Sequence, residues 1–201
     1  LPEKILPKSN ATPGLLAHIA VSKYVDALPL YRLEQIFKRD NIDIPRNTMA
    51  SWMIALAEKL TSIYNLMEED LLDSDYVCCD ETVVQVLKEP GKPAQSKSYM
   101  WVRARHGPGI NPIVLFDYDP TRSGTAPNRL LKGFKGYLQA DWYAGYDEVC
   151  KGEGIIRLGC MAHARRNFFD SYKAGGKKEG PAHEMLLIIK GLYQVEEKIR
   201  D

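Results

Sequence analysis

Apolar residues recur at helical spacing through the first third of the chain. Leu15, Leu16, Ile19 and Ala20 begin one helix, and Leu30, Leu33, Ile36 and Phe37 keep the three-and-four spacing of a second. Asp40-Asn41-Ile42-Asp43-Ile44-Pro45 breaks the pattern. A third helix is predicted from near Asn47, a candidate N-cap, through Met49, Met53, Leu56, Leu60 and Ile63. Residues 1–12 are polar, carry Pro2 and Pro7, and read as a linker or arm. After Asp75 the texture changes to that of strands. Tyr76 to Val86 is rich in Val, Cys and Thr; Ser98 to Arg105 sets Tyr99, Trp101 and Arg103 against Met100, Val102 and Ala104; Pro112 to Tyr118 gives a third run. Turn residues at Glu89–Pro93 and His106–Gly109 separate the three, which predicts an antiparallel meander. A helix near Asn128–Lys132, a strand at Gly136–Ala140, a helix from about Ala144, a strand at Ile155–Gly159 and helices at Met161–Lys173 and from Ala182 onward complete the order.

Three antiparallel strands followed by alternating helices and strands is the order of an α/β, ribonuclease-H-like mixed five-stranded sheet with flanking helices. Here a small all-helical module precedes it. The expected division is residues 13–73 for the module and 74–201 for the core, the latter incomplete at its C-terminal end. In such a sheet the first and fourth strands run parallel and side by side. Asp80, inside the first, and Asp141, at the end of the fourth, then come to one edge although far apart in sequence. In the module, two helices joined by a short polar turn also suit a helix-turn-helix unit, with Arg46, Asn47, Thr48 and Ser51 at the exposed start of its second helix. A plain packed bundle explains the same pattern.

Composition narrows the class. Hydrophobic residues make up 45% of 201, enough for a core, and no run of eighteen apolar residues exists, so no membrane span is expected. The first residues do not resemble a secretory signal. Cys78 and Cys79 are neighbours whose side chains would point to opposite faces of a strand, a poor start for a disulfide framework, so a reducing, cytoplasmic setting is expected. Net charge is only +1. Its distribution is uneven: basic residues crowd Lys97–Lys135 and Arg157–Lys178, and Glu68–Glu81 holds acids and no base. Basic blocks around an acidic centre suit an enzyme acting on a polyphosphate backbone; segregated solvated faces explain them equally.

The acids define the candidate chemistry. An Asp in an apolar strand is disfavoured by propensity and costly to bury unpaired, which favours a functional role for Asp80. Asp141, in Gln139-Ala140-Asp141-Trp142, has the sequence context of a cap for the next helix as well as of a ligand. Paired carboxylates on adjacent strands suit Mg²⁺, which takes hard oxygen ligands. Cys160 and His163 have C-x-x-H spacing without a second half, so no zinc site is expected. Asp117 reads as part of a turn-forming region, and Tyr143 and Tyr146 as packing residues. His163, Arg165 and Arg166 suit a helix start that contacts phosphate, or an ordinary basic face.

Several segments carry a resemblance. Val77-Cys78-Cys79-Asp80-Glu81-Thr82-Val83-Val84-Gln85-Val86-Leu87 resembles the "ADET-P-QVL" segment of transposases of the insertion sequence 66 family. Phe116 to Gly124 resembles its "F-Y-PSRSG" segment, and Gly136 to Tyr146 its "GYLQ-DGYAGY" segment. Gly159 to Phe169 resembles "GCWAHARRKFF", and Ser98 to Val102 resembles "GYLWVY". Trp142 stands where Gly is usual and could restrict the space beside Asp141; Met161 stands where Trp is usual. The resemblance implies a DDE transposase, with Asp80 and Asp141 as the first two catalytic and metal-binding acids. It implies Mg²⁺ (or Mn²⁺), two ions in a complete centre, and cleavage and strand transfer at transposon ends. It places the third acid beyond Asp201, so this piece alone is expected to be inactive. Glu184 is the in-chain fallback, ahead of Glu148 and Glu153. Expected partners are transposon-end and target DNA, contacted through Arg122, His163, Arg165, Arg166 and Arg46. Self-association of the full-length protein and no membrane contact are also expected. A non-catalytic DNA-binding or assembly fragment, and a related metal-dependent nuclease, are the alternatives.

Overall fold

The computed structural model describes residues 4–7, 9–107, 109–152 and 154–199, and the chain divides into two compact units, Leu1–Leu66 and Met67–Asp201. Among the described residues of the first unit are α1 (Pro13–Tyr24), α2 (Leu30–Arg39) and most of α3 (Arg46–Leu72). Thr12 caps α1, its Oγ1 accepting from the Leu15 amide at 3.2 Å, with Pro13 in the first turn where its missing N–H costs nothing. α2 closes with Asn41 in the left-handed region (φ 58°). The Ile42 amide donates back to Phe37 O and the Asn41 amide to Lys38 O, the bond pair of a Schellman ending. Leu16, Ile19, Leu33, Phe37, Met49 and Met53 form the core.

Three expectations change here. Residues 1–12 were read as an arm, yet Leu6 and Ala11 are buried in the helical core, and the Ser9 hydroxyl accepts from the Ala11 amide at 3.0 Å. One apolar anchor in a polar stretch is enough to dock it. Asn47 is not an N-cap: the helix already runs from Arg46, with the Thr48 and Met49 amides bonded to Pro45 O. α3 also continues to Leu72, beyond the predicted stop, because nothing between Ser62 and Leu72 breaks a helix. The division between units falls inside it, ahead of the composition shift at Asp75.

The second unit is α/β. Its sheet has the order β3-β2-β1-β4-β5, built from β1 (Tyr76–Gln85), β2 (Lys97–Arg105), β3 (Ile113–Asp119), β4 (Gly136–Ala140) and β5 (Ile155–Gly159). β1 is antiparallel to β2 and β2 to β3, while β1 and β4, and β4 and β5, are parallel. α4 (Thr125–Leu130) crosses from β3 to β4. A 3-10 turn (Ala144–Tyr146) and the short α5 (Asp147–Cys150) replace the longer helix expected from Ala144. α6 (Met161–Ala174) and α7 (Pro181–Ile199) pack on each other after β5.

Alternation along the strands sends Val77, Cys79, Trp101, Ile113, Leu115, Leu138 and Ala140 to one buried face. Ala126, Leu130, Leu131, Phe134, Tyr146 and Leu71 are the buried apolar residues of the elements around it. Arg103 is buried on this face too. Its guanidinium reaches Glu68 at 2.6 Å, Asp117 at 2.8 Å and Leu130 O at 2.7 Å, which ties the end of α3, two strands and α4 together. Asp117 is thereby a partner of Arg103 rather than a turn former. Gly136 (φ 143°) lets β4 start against β1: a Cβ there would lie 2.4 Å from Asp75 O.

Candidate functional site

The parallel register of β1 and β4 runs Tyr76↔Tyr137, Val77↔Leu138, Cys78↔Gln139. Two residues further along lie Asp80, still in β1, and Asp141, the residue after β4. The register therefore brings both acids to the same end of neighbouring strands.

Their surroundings differ. The Asp80 side chain is 58% exposed, so the burial cost expected of an acid in this strand does not arise. Its Oδ1 accepts from the Glu81 amide at 2.9 Å, and its Oδ2 lies 3.8 Å from His163 Nε2 on α6. Cys78, Asp80, Gln139, Cys160 and His163 line a small cavity of about 140 Å³ on that side. Asp141 Oδ1 accepts from the Tyr143 amide at 2.9 Å, a local turn bond rather than the helix cap expected of it, since the next helical turn has Tyr143 at its N-cap position with no side-chain cap; its Oδ2 is 3.7 Å from Arg122 Nη2.

Arg122, in the loop after β3, is held mainly by Glu81. Glu81 Oε1 accepts from Arg122 Nε at 2.7 Å and lies 2.5 Å from Nη2; its Oε2 accepts from the Tyr146 hydroxyl at 2.9 Å. The guanidinium lies 4.0 Å from the Tyr143 ring centroid, and the Tyr143 hydroxyl donates to Arg122 O. Tyr143 can fold over because residue 145 is glycine: a Cβ there would sit 2.2 Å from its ring. Burial works against the charge on Arg122, but the hydrogen bond and charge of Glu81, with Asp141 behind them, outweigh it and raise its pKa. Tyr146, fully buried, has its hydroxyl pKa pushed up by burial first and by Cys79 and Glu81 second. Arg157 fastens the loop from below, donating to Asp141 O at 2.6 Å, Tyr143 O at 2.8 Å and Asp147 at 2.6 Å. Trp142 is 77% exposed, with its ring against Gly159 and near Arg157.

The other candidates scatter. Arg165 and Arg166 are exposed on α6, Arg165 lining a groove between α6 and α7. Glu184 is exposed in the first turn of α7, and Glu148 is in the short α5, where it pairs with Lys151. Glu153 lies outside the described residues, as does Asp201. Arg46 belongs to the first unit, where it is exposed and stacks near the Tyr31 ring at 5.9 Å. Charge segregation has a structural explanation in part. Three acids of the Glu68–Glu81 run take three arginines of the first basic block: Glu68 with Arg103, Asp70 with Arg105, Glu81 with Arg122.

Glu81 and its tyrosines are the residues that sequence reasoning missed. The signal available was alternation: adjacent acids in one strand point to opposite faces. The two carboxylates have different neighbours, His163 beside Asp80 and Arg122, the partner of Glu81, beside Asp141. Among the described residues no three His, Cys, Asp or Glu side chains group as a metal-binding set.

A mixed five-stranded sheet with flanking helices makes the second unit an α/β domain. The profile described as Transposase IS66 family matches residues 8–201, and the chain belongs to that family. It is 33% identical over 210 residues to the uncharacterized protein y4qI and 34% identical to the uncharacterized protein y4jD, both of Sinorhizobium fredii (strain NBRC 101917 / NGR234). Those alignments cover 99% of this chain and 38% and 40% of the relatives, so the chain spans about two fifths of their length. A third relative from the same organism, y4hP, is 26% identical. No solved structure matches the chain. Among the described residues, no helix is long and apolar enough to cross a membrane.

Proposed function

We propose that this chain carries the first two acids of a transposase centre that cuts and rejoins DNA at transposon ends. The observation that carries the reading is the placement of Asp80 and Asp141 at one end of adjacent parallel strands. Family membership and the ribonuclease-H-like strand order and directions support it. In this reading Asp80 and Asp141 hold Mg²⁺ or Mn²⁺. Such ions, when bound, activate the attacking oxygen and stabilise the leaving one. Asp80, being exposed, is free to take a ligand without first giving up a buried partner. Asp141 is oriented by the Tyr143 amide through one oxygen and offers the other. His163 stands beside Asp80 and Arg122 beside Asp141, two cationic or hydrogen-bonding groups for phosphate oxygens. Transposon-end and target DNA are the partners in this reading, with self-association in the complete protein.

The 201-residue chain is expected to be inactive alone, because no third acid groups with this pair among the described residues. Glu184 stays the in-chain fallback, behind an acid beyond Asp201.

The test is transposition by the full-length protein. Asp80→Asn and Asp141→Asn keep volume and remove a charged ligand, and each is expected to drop the frequency to background. Melting of the Asp80→Asn chain should match the parent, since that carboxylate is largely solvated. Normal transposition by either variant sinks the proposal. Nicking of supercoiled plasmid by the 201-residue chain with Mn²⁺, lost in Glu184→Gln, would move the third acid inside the chain.

A further inference from the structure

Glu81 follows the candidate ligand Asp80 directly, yet it faces the other way and is not built as a ligand. Its side chain is 1% exposed. Both of its oxygens are spent on protein groups, one on the Arg122 guanidinium and one on Tyr146, itself fully buried. A buried carboxylate bonded in this way fixes the guanidinium it faces. Arg122 is pinned on further sides by the Tyr143 ring at 4.0 Å and by the Tyr143 hydroxyl on its carbonyl. Its side chain is nevertheless 41% exposed. Nε and Nη2 face Glu81, and Nη2 also faces Asp141; among the described residues, Nη1 has no protein partner. An arginine locked in place with one donor edge open is a preorganised anion receptor, and it stands 3.7 Å from one of the two acids at the strand edge.

We infer that Arg122 binds a DNA phosphate beside Asp141 and that Glu81, with Tyr143 and Tyr146, is its positioning residue. The inference rests on the DNA reading above but not on metal binding or cleavage. A mobile arginine would lose side-chain freedom on gripping a phosphate; here the fold has already imposed that cost. Placing the cation beside Asp141 also offsets repulsion between that carboxylate and an incoming phosphate.

The experiment measures anisotropy of a fluorescein-labelled duplex DNA of mixed sequence, titrated with the chain over a salt series without divalent ions. Four proteins are compared: the parent, Arg122→Gln, Glu81→Gln and the double variant. Arg122→Gln is expected to weaken binding and to reduce the slope of log affinity against log salt by about one. Removing an acid ordinarily tightens DNA binding, so the expected loss of affinity in Glu81→Gln has the opposite sign to the general charge effect. The double variant should bind like Arg122→Gln alone, because Glu81 acts only through Arg122. A merely structural Glu81 would weaken the double variant further and leave the slope of the single variant unchanged.

An unchanged slope in Arg122→Gln overturns the inference, and so does parental or tighter binding by Glu81→Gln. If stranding one buried charge unfolds a single variant, Arg122→Lys carries the test. It keeps a charge over Glu81 but loses the fork, and parental affinity in that variant overturns the inference. If the parent itself shows no salt-sensitive binding, the DNA reading falls with it. Binding by the parent with no effect at Arg122 removes this inference alone.

Discussion

On one face of the sheet Val77, Trp101, Leu115 and Leu138 are at most 2% exposed; on the other, Val114, Phe116, Tyr137 and Ile156 are between 47% and 60% exposed. These residues alternate along the same strands and are equally apolar. The difference comes from what crosses them. The connections from β3 to β4 and from β4 to β5 bring Ala126, Leu130, Leu131, Phe134 and Tyr146 into the core, while β3 and the starts of β4 and β5 keep an open side. The acids divide in the same way. Glu81 faces inward and is engaged by Arg122 and Tyr146; Asp80, one residue earlier, faces outward and is mostly in water. Two carboxylates that look alike in sequence are thus sorted by strand alternation into one that holds the scaffold and one free to meet a ligand.

The sharpest way to break this comparison is to empty the covered face at its centre. Trp101 is fully buried, pairs with Glu81 across β1 and β2, and packs edge-on against Tyr146 with centroids 5.8 Å apart. Trp101→Ala is expected to cost about 3–5 kcal/mol of stability, read as a lower urea midpoint. Among the described residues the buried indole Nε1 has no hydrogen-bond partner, so no polar group there is stranded by the change. Trp101→Phe, which removes that unpaired donor and less volume, should cost much less. A loss under about 1 kcal/mol in Trp101→Ala would mean that this face does not hold the unit together.

Much of this arrangement is legible in the chain, and the gaps have physical causes. β4 and β5 are read at their observed limits because Gly136 and Gly154 punctuate short apolar runs, whereas α3 is cut short in sequence because Glu68, Glu69 and Asp70 look like a polar end although the two glutamates are good helix formers. The helix expected from Ala144 shrinks to a 3-10 turn and four residues because Gly145 and Gly152 bracket it. Asp80 and Asp141 can be placed together from strand order alone, since a parallel register is a regular object. The Glu81 network is not regular: its partners lie 41 and 65 positions away, on a loop and a turn whose paths no periodicity encodes. The arginines of the first basic block mislead for a related reason, since charge counts do not reveal that Glu68 and Asp70 neutralise Arg103 and Arg105.

A middle-sized effect comes from pH. Burial pushes the Cys79 thiol up to about 12, from an ordinary 9; Glu81 and Asp80 add to the rise, and Tyr146 and Arg103 partly oppose it. Its folded pKa lies above its unfolded one, so its contribution to stability is complete below about pH 9 and is lost as pH rises toward 12. The Tyr146 hydroxyl, also shifted upward, adds to the loss above its ordinary value of 10. Stability of the second unit is expected to fall by about 1–2 kcal/mol between pH 7.5 and 10, seen in the urea midpoint. Cys79→Ala should remove more of that dependence than Cys78→Ala, whose thiol is raised by burial but lies on the other face. An equal urea midpoint at both pH values, or equal behaviour of the two variants, would erase the distinction between the faces.

The smallest effect should come from the open face itself. Phe116 is 60% exposed and Leu115, its neighbour in β3, is 2% exposed. Phe116→Thr keeps a strand-favouring residue and removes little buried area, so its stability change should stay within about 0.5 kcal/mol. Leu115→Thr puts a hydroxyl into the covered core and should cost at least about 2 kcal/mol. Both substitutions sit on one strand, so any general effect of Thr on β3 cancels in the comparison and the remainder reports the face. An apolar dye should also bind less to a Val114→Thr, Phe116→Thr, Ile156→Thr chain, because those three side chains are the apolar surface offered to it. If Phe116→Thr instead costs as much as Leu115→Thr, the side chain is covered in solution, and Asp80, on the same face, loses the open setting on which its proposed role as a ligand depends.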